Sequence, residues 1–271
     1  MKKIFTLLFV FLCVSHHFNA QNLDTLKVYY YENYPYAYTE KGEIKGIELE
    51  IMDEFITWMA QKKNTKVLIT KRQFLDFNAF YNDLKTAGPK IIGMGSVTDN
   101  AERAKDVVFS PAYLKNIAVL VSDGNVVSAK TKEEGKLIFG NMDAMVVKNS
   151  SHEKYLNDIK TSFLPELKIT YTESQTNVLN AIVADKKNFG FVDIVAYWSY
   201  LKKNPNKFLK IQKAYNAPSE MLGFVMPKNS IYAKYINEFF ESGFGFTATK
   251  KYHQILEKYL GHEIIDAVEI K

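Results

Sequence analysis

Apolar runs of strand length alternate with segments whose apolar residues recur at helical spacing through most of this chain. That alternation limits the fold more than any other feature. A strand followed by a helix and then another strand builds a mostly parallel sheet flanked by helices, an α/β fold. Residues 26–31 read as a buried first strand, and Pro35, which lacks an N–H for a ladder, marks a turn after it. Ile47, Leu49, Ile51, Phe55, Met59 and Ala60 fall near helical spacing, which predicts a helix up to about Lys62. Residues 67–70 and 91–95 are the next strands. The helix between them, 77–87, stops before Gly88-Pro89.

The alternation then repeats. Strands are expected at 117–122, 145–147, 167–171 and 188–193, with helices at 152–159 and 174–184. Residues 222–226 read as a strand that returns to the first block, followed by helices at 232–242 and 249–259. No Gly/Ser-rich linker separates the blocks. The reading is therefore two lobes joined by two strand-like crossings, with residues 21–119 plus 220–271 in one and 120–219 in the other. Ligands of open α/β sheets sit outside the carboxyl ends of the strands. Two facing lobes make a cleft there that can close about a hinge.

Residues 1–20 read as an export signal. Lys2 and Lys3 precede an apolar core, 4–14, that is too short to span a bilayer, and Ala20 suits the residue before a cleavage point. The single cysteine, Cys13, lies in that core, so the exported chain is expected to hold no disulfide, thiolate metal site or cysteine nucleophile. Lys2 and Lys3 leave with the signal, taking 35 basic side chains to 33 against 30 acidic ones, a net charge of +3. Charge this small and dispersed argues against a nucleic-acid partner.

The chemistry concentrates in residues 91–113. Ile91-Ile92 lead into Gly93 and Gly95, then Ser96, Thr98 and one arginine, Arg103, ahead of Phe109-Ser110-Pro111. A buried strand ending in small and hydroxyl residues leaves backbone N–H groups open at its tip. A guanidinium a helical turn further on adds a planar donor fork, and together these suit a small carboxylate. Each residue also has a plainer role available. Arg103 could be a solvated surface residue beside Lys105, Thr98 or Asn100 a helix cap, and Asp193, at the end of strand 188–193, the cap of the helix after it.

This segment resembles the family 3 extracellular solute-binding proteins, the periplasmic amino-acid-binding proteins of uptake transporters. Their pattern is roughly Thr-Ile-Thr-x-x-Arg, then Val-Asp-Phe-Ser-x-Pro-Tyr. Thr98, Arg103, Val107, Phe109, Ser110 and Tyr113 match it, whereas Asn100 replaces the second Thr, Val108 the Asp, and Pro111 is displaced by one position. Gly46-Ile-Glu-Leu-Glu50-Ile matches a second family signature, from which Phe55-Ile56 then depart. The resemblance covers almost the whole exported chain. It implies the two-lobed periplasmic-binding-protein-like fold (type II), an amino acid or similar zwitterion as ligand, and the membrane permease of an ABC-type transporter as partner.

The same resemblance assigns roles. Arg103 and Thr98 would meet the ligand carboxylate, and the Ser96 carbonyl its amino group. Ser150 and Ser151 stand at the family's Gly-Thr-Thr loop, where a helix N-terminus meets the carboxylate, with Asn149 in place of the Gly. Asp193 would pair with the α-ammonium, Tyr36 would be the pocket aromatic, and Glu32 would touch polar ligand side chains. Trp58 and Trp198 fall at core spacing and read as structural. His152, His253 and His262 are scattered and read as surface residues. No hydrolase, metalloprotease or P-loop motif occurs, and no cofactor or metal is expected. Two other readings stay open: an enzyme on the same fold, dehydratase-like, with Glu32 as its one acid–base candidate, or a ligand-sensing module.

Overall fold

The computed structural model describes residues 21–215 and 217–270; the expected signal, 1–20, lies outside them. The first strand, β1 (Asn22–Tyr31), is longer than its apolar run because its whole length pairs parallel with β4 (Thr65–Phe74). On its other side β1 pairs parallel with β5 (Ile91–Met94), a fully buried strand. Between β1 and β4 lie a hairpin, β2 (Tyr38–Glu40) and β3 (Glu43–Lys45), and helix α1 (Ile47–Lys62). Gly46, the residue before α1, has φ 131°, and a Cβ there would sit 2.1 Å from the Tyr36 carbonyl oxygen. Only glycine lets the two backbone segments meet this closely. Helix α2 (Phe77–Lys85) starts at Asp76, whose carboxylate accepts from Ala79 N, and connects β4 to β5.

After β5 the chain forms a two-residue strand, β6 (Thr98–Asp99), a 3-10 turn over Arg103–Lys105, and β7 (Val107–Phe109). Strand β8 (Leu114–Asp123) then crosses into the second sheet. There helix α3 (Lys132–Phe139), β9 (Asp143–Val147), α4 (Ser151–Ser162), β10 (Lys168–Thr172), α5 (Gln175–Ala184), β11 (Asn188–Asp193), α6 (Ile194–Lys203) and β12 (Leu209–Gln212) follow in order. The way back is β13 (Ser219–Leu222) and β14 (Val225–Pro227), and helices α7 (Ala233–Glu241), α8 (Lys250–Leu260) and α9 (His262–Val268) end the chain.

Two principal sheets result. The first has the order β4-β1-β5-β14-β7, and the second β10-β9-β11-β8-β13-β6 with β12 also on β8. Each combines three parallel strands with antiparallel ones. Strand β8 is shared: residues 114–117 pair with β13, and 118–122 with β11. Strands β8 and β13 pair antiparallel where the chain passes between the two sheets. The run 222–226, expected as one strand, is two. Leu222 pairs in the second sheet and Val225 in the first, and between them Gly223 N donates to Val97 O and Phe224 N to Ser110 Oγ.

Apolar burial fixes this arrangement. Phe55, Met59, Tyr113, Phe224, Phe239, Phe246 and Tyr252 pack among α1, α7 and α8. Phe139, Phe189, Phe191 and Tyr215 form the core on one face of the second sheet. Trp58 stacks on Phe55 at 6.3 Å inside the first core. Trp198, on α6, packs against that same core from the second half of the molecule and donates Nε1–H to Leu260 O at 3.2 Å. Both tryptophans are structural, as their spacing suggests. Among the described residues, no helix is long and apolar enough to cross a membrane.

Candidate functional site

The parallel strands β1, β5, β9 and β11 all point their carboxyl ends at one cleft between the sheets. Its empty volume is about 360 Å³, with the open mouth included. The space its walls enclose is only about 30 Å³, on the order of one water, so a ligand enters when the walls part. Ser96, Thr98 and Arg103 line it from the first half, and Ser150, Ser151 and Asp193 from the second. Six of the eight residues expected from the sequence therefore converge.

The local backbone explains how. Gly95 (φ 148°) and Ser96 (φ 53°) turn the chain sharply after β5, and Glu48, in the first turn of α1, accepts from Ser96 N at 3.2 Å. Asn33 Nδ2 donates to Ser96 Oγ at 2.7 Å. Across the cleft, Asn149 takes the left-handed conformation (φ 60°) that Asn tolerates better than most residues, so the turn holds without the Gly the resemblance implies. Ser150 then caps α4, accepting from Glu153 N at 3.3 Å. Ser151 and His152 are the first helical residues, where backbone N–H groups are open to an anion.

Arg103 is buried, not solvated. Asn100 Oδ1 caps its turn at 2.9 Å, the role open to it in the sequence. The guanidinium lies 5.2 Å from the Phe77 ring centroid and 5.6 Å from that of Tyr81. Its Nη1 donates to Thr98 O and its Nη2 to Asn149 O, each at 3.1 Å, so one side chain ties the two cleft walls. Burial lowers its pKa, with Tyr81 and Glu220 opposing. The hydroxyl of Tyr31, another cleft residue, spans the walls as well, donating to Glu173 O at 2.6 Å.

Asp193 precedes α6 but does not cap it with its side chain. Its carboxylate instead accepts from Asn116 Nδ2 and Gln175 Nε2, both at 2.6 Å, and its own N–H donates to Gln175 Oε1. His152 Nε2 sits 3.0 Å from Oδ1, an ion-pair distance at which the N–H is too far off line for a hydrogen bond. Burial alone would raise this carboxyl, but His152, then Gln175 and Asn116, outweigh it and hold the pKa below the usual aspartate value. His152 is 3% exposed, so the surface reading of this histidine fails. In the first turn of α4 it is turned inward to the cleft, a direction that helix periodicity in a short polar segment does not announce.

Two expected residues do not reach the cleft. Tyr36 is fully buried in the first core, because the chain folds back at Asn33–Ala37 and carries the ring inward. Glu32 points to the outer edge of the first sheet, where Thr39 N and Gln73 Nε2 donate to it at 2.8 and 2.7 Å. Their places at the wall are taken by Tyr31, Asn33 and Phe77, with Gln175 and His152 opposite.

Solved structures share the fold. An ancestral arginine-binding protein bound to arginine matches at 22% identity and TM-score 0.71, over 88% of this chain and 98% of that one. An arginine-, lysine-, histidine-binding protein from the thermophilic bacterium Geobacillus stearothermophilus matches at 18% and 0.68, over 89% and 98%. An ancestral amino acid-binding protein, a precursor of cyclohexadienyl dehydratase, matches at 20% and 0.66, over 87% and 95%. No curated protein sequence matches the chain. The profile of the bacterial extracellular solute-binding proteins, family 3, matches residues 26–262, nearly all of the described chain, and this protein belongs to that family.

Proposed function

We propose that this chain captures an amino acid in the cleft outside the cytoplasmic membrane and delivers it to the permease of an ABC-type transporter. The observation that carries the reading is the convergence of a buried arginine and a buried aspartate on one small cleft, each from a different half of the molecule. Arg103 and the open amides of α4 supply donors for a carboxylate, and Asp193 with the Ser96 carbonyl supplies acceptors for an α-ammonium. The solved relatives bound to arginine or named for basic amino acids support the same ligand class. Residues 21–119 with 220–271 form one lobe and 120–219 the other, and ligand contacts to both hold the cleft shut. The leader expected at 1–20 would send the chain to the periplasm.

A thermal-shift screen of the common L-amino acids tests this, because a ligand that binds only the folded state raises its stability by mass action. A hit followed by a smaller radius of gyration in solution scattering supports both the ligand class and closure. No hit at millimolar concentration removes the amino acid. An enzyme on the same fold is the second reading, favoured by the buried His152–Asp193 pair in the cleft and by the likeness to the dehydratase precursor. It requires the bound compound to be recovered altered, whereas the binding reading requires it unchanged.

A further inference from the structure

Glu220 lies on β13, one of the two crossing strands, half-buried and directly opposite Asn116 of β8. It is not among the residues lining the cleft, yet four groups converge on its carboxylate. Thr98 Oγ1 donates to Oε2 at 3.1 Å, Ser151 Oγ at 3.2 Å and Asn116 Nδ2 at 3.2 Å, and Tyr155 OH donates to Oε1 at 2.6 Å. Thr98 and Ser151 belong to opposite cleft walls. Asn116 also donates to Asp193, so a continuous polar chain runs from Thr98 through the crossing strands to the buried acid.

A hydroxyl has one proton and two lone pairs, and an ionised carboxylate can only accept. Glu220 thus bridges the two walls, and with their protons committed to it Thr98 and Ser151 have only lone pairs left to offer a ligand. Resting on the amino-acid reading of the cleft, we propose that Glu220 is a positioning residue that polarises these two hydroxyls into acceptors. The corner between them then takes an N–H donor, an ammonium group, and turns away carboxylate oxygens, which are left to Arg103 and the α4 amides. Discrimination for the ligand's ammonium is thus set by Glu220 as well as by Asp193.

Glu220→Gln keeps the shape, and its amide N–H₂ can donate to the hydroxyl oxygens, which frees their protons to turn inward. Calorimetry with L-arginine and L-glutamine, each beside its des-amino acid, reads the effect. The preference for the amino acid over the des-amino acid should fall about tenfold or more, the worth of a hydrogen bond to a charged group. The same Glu220→Gln change in a Thr98→Val/Ser151→Ala background should alter that preference less than about twofold, since additivity holds only for residues that do not interact. An unchanged preference in the single variant overturns the proposal. So does an undiminished loss in the hydroxyl-free background, which would mean that Glu220 acts through its charge alone. If the wild type binds neither amino acid, the amino-acid reading fails on its own account. The hydroxyl assignment is then read from melting temperatures of the unliganded variants. Non-additivity of about 2–4 °C between Glu220→Gln and Thr98→Val/Ser151→Ala, roughly 1 kcal/mol in a chain of this size, supports it. Additive shifts overturn it.

Discussion

Replacing Glu48 by Gln should remove a pH dependence from the stability of this protein. Glu48 sits in the first turn of α1 with no solvent exposure. Its Oε1 accepts from Tyr113 OH at 2.6 Å and from Ser96 N at 3.2 Å, but its Oε2 has no hydrogen-bond partner among the described residues. Burial dominates, Tyr113 and the loop amides oppose it, and the carboxyl is pushed up from 4.5 to about 7. The folded state therefore holds this proton more tightly than the unfolded chain does. Its contribution is fully present below pH 4.5 and is lost as the pH rises through 7. A shift of roughly 2.5 pH units corresponds to about 3 kcal/mol. In melting temperature that is about 6–12 °C. Urea unfolding of wild type and Glu48→Gln between pH 4 and 8 measures it, because all other titrating groups cancel in the difference. Relative to the variant, the wild type should weaken steadily from pH 4.5 to 7 and then level off. A difference curve that is flat, or that finishes its change below pH 5, would show that Glu48 is ionised in the fold and that the burial argument is wrong.

Arg103→Ala should weaken amino-acid binding by roughly 2–5 kcal/mol in calorimetry, and Arg103→Lys should not restore it, because an ammonium cannot form the planar fork. Unchanged affinity would remove Arg103 from the carboxylate. Asp193→Asn should weaken an amino acid far more than its des-amino analogue; equal losses would mark Asp193 as purely structural. Gly46→Ala should cost more than about 2 kcal/mol in chemical unfolding, since it places a methyl group against the Tyr36 carbonyl at a backbone angle that L-residues avoid. A near-neutral result would mean that α1 and the loop before it can separate cheaply.

Much of the fold is legible in the sequence where one period dominates. Helix α1 ends at Lys62 as its apolar spacing indicates, and β11 spans Asn188–Asp193 as its apolar run indicates. Helix α3 escapes because only Gly135 and Phe139 of its eight residues are buried, too few to write a helical period. In the cleft, Arg103 stands out because Arg72 is the chain's one other arginine, and Thr98 and Asp193 because they sit at strand ends. Glu220 is not. Its surroundings arise from pairing with Asn116, 104 residues earlier, and from the arrival of Ser151 and Tyr155 on a helix of the other half. No local pattern encodes such a meeting. Tyr36 fails for a related reason: an aromatic beside a turn proline can face either side of the backbone, and the fold-back at Asn33–Ala37 sends this one into the core.

The placement of the two tryptophans equips the protein with its own optical gauge. Trp58 is locked among Phe55, Phe239 and Lys63 inside one half, so its surroundings stay constant whatever the other half does. Trp198 rides on α6 and is tethered to the end of α8 through its indole N–H. Any rotation of one half against the other stretches or releases that tether and alters the polarity around a single indole. The closure proposed above would then change the Trp198 part of the emission, read as the difference between the wild type and Trp198→Phe.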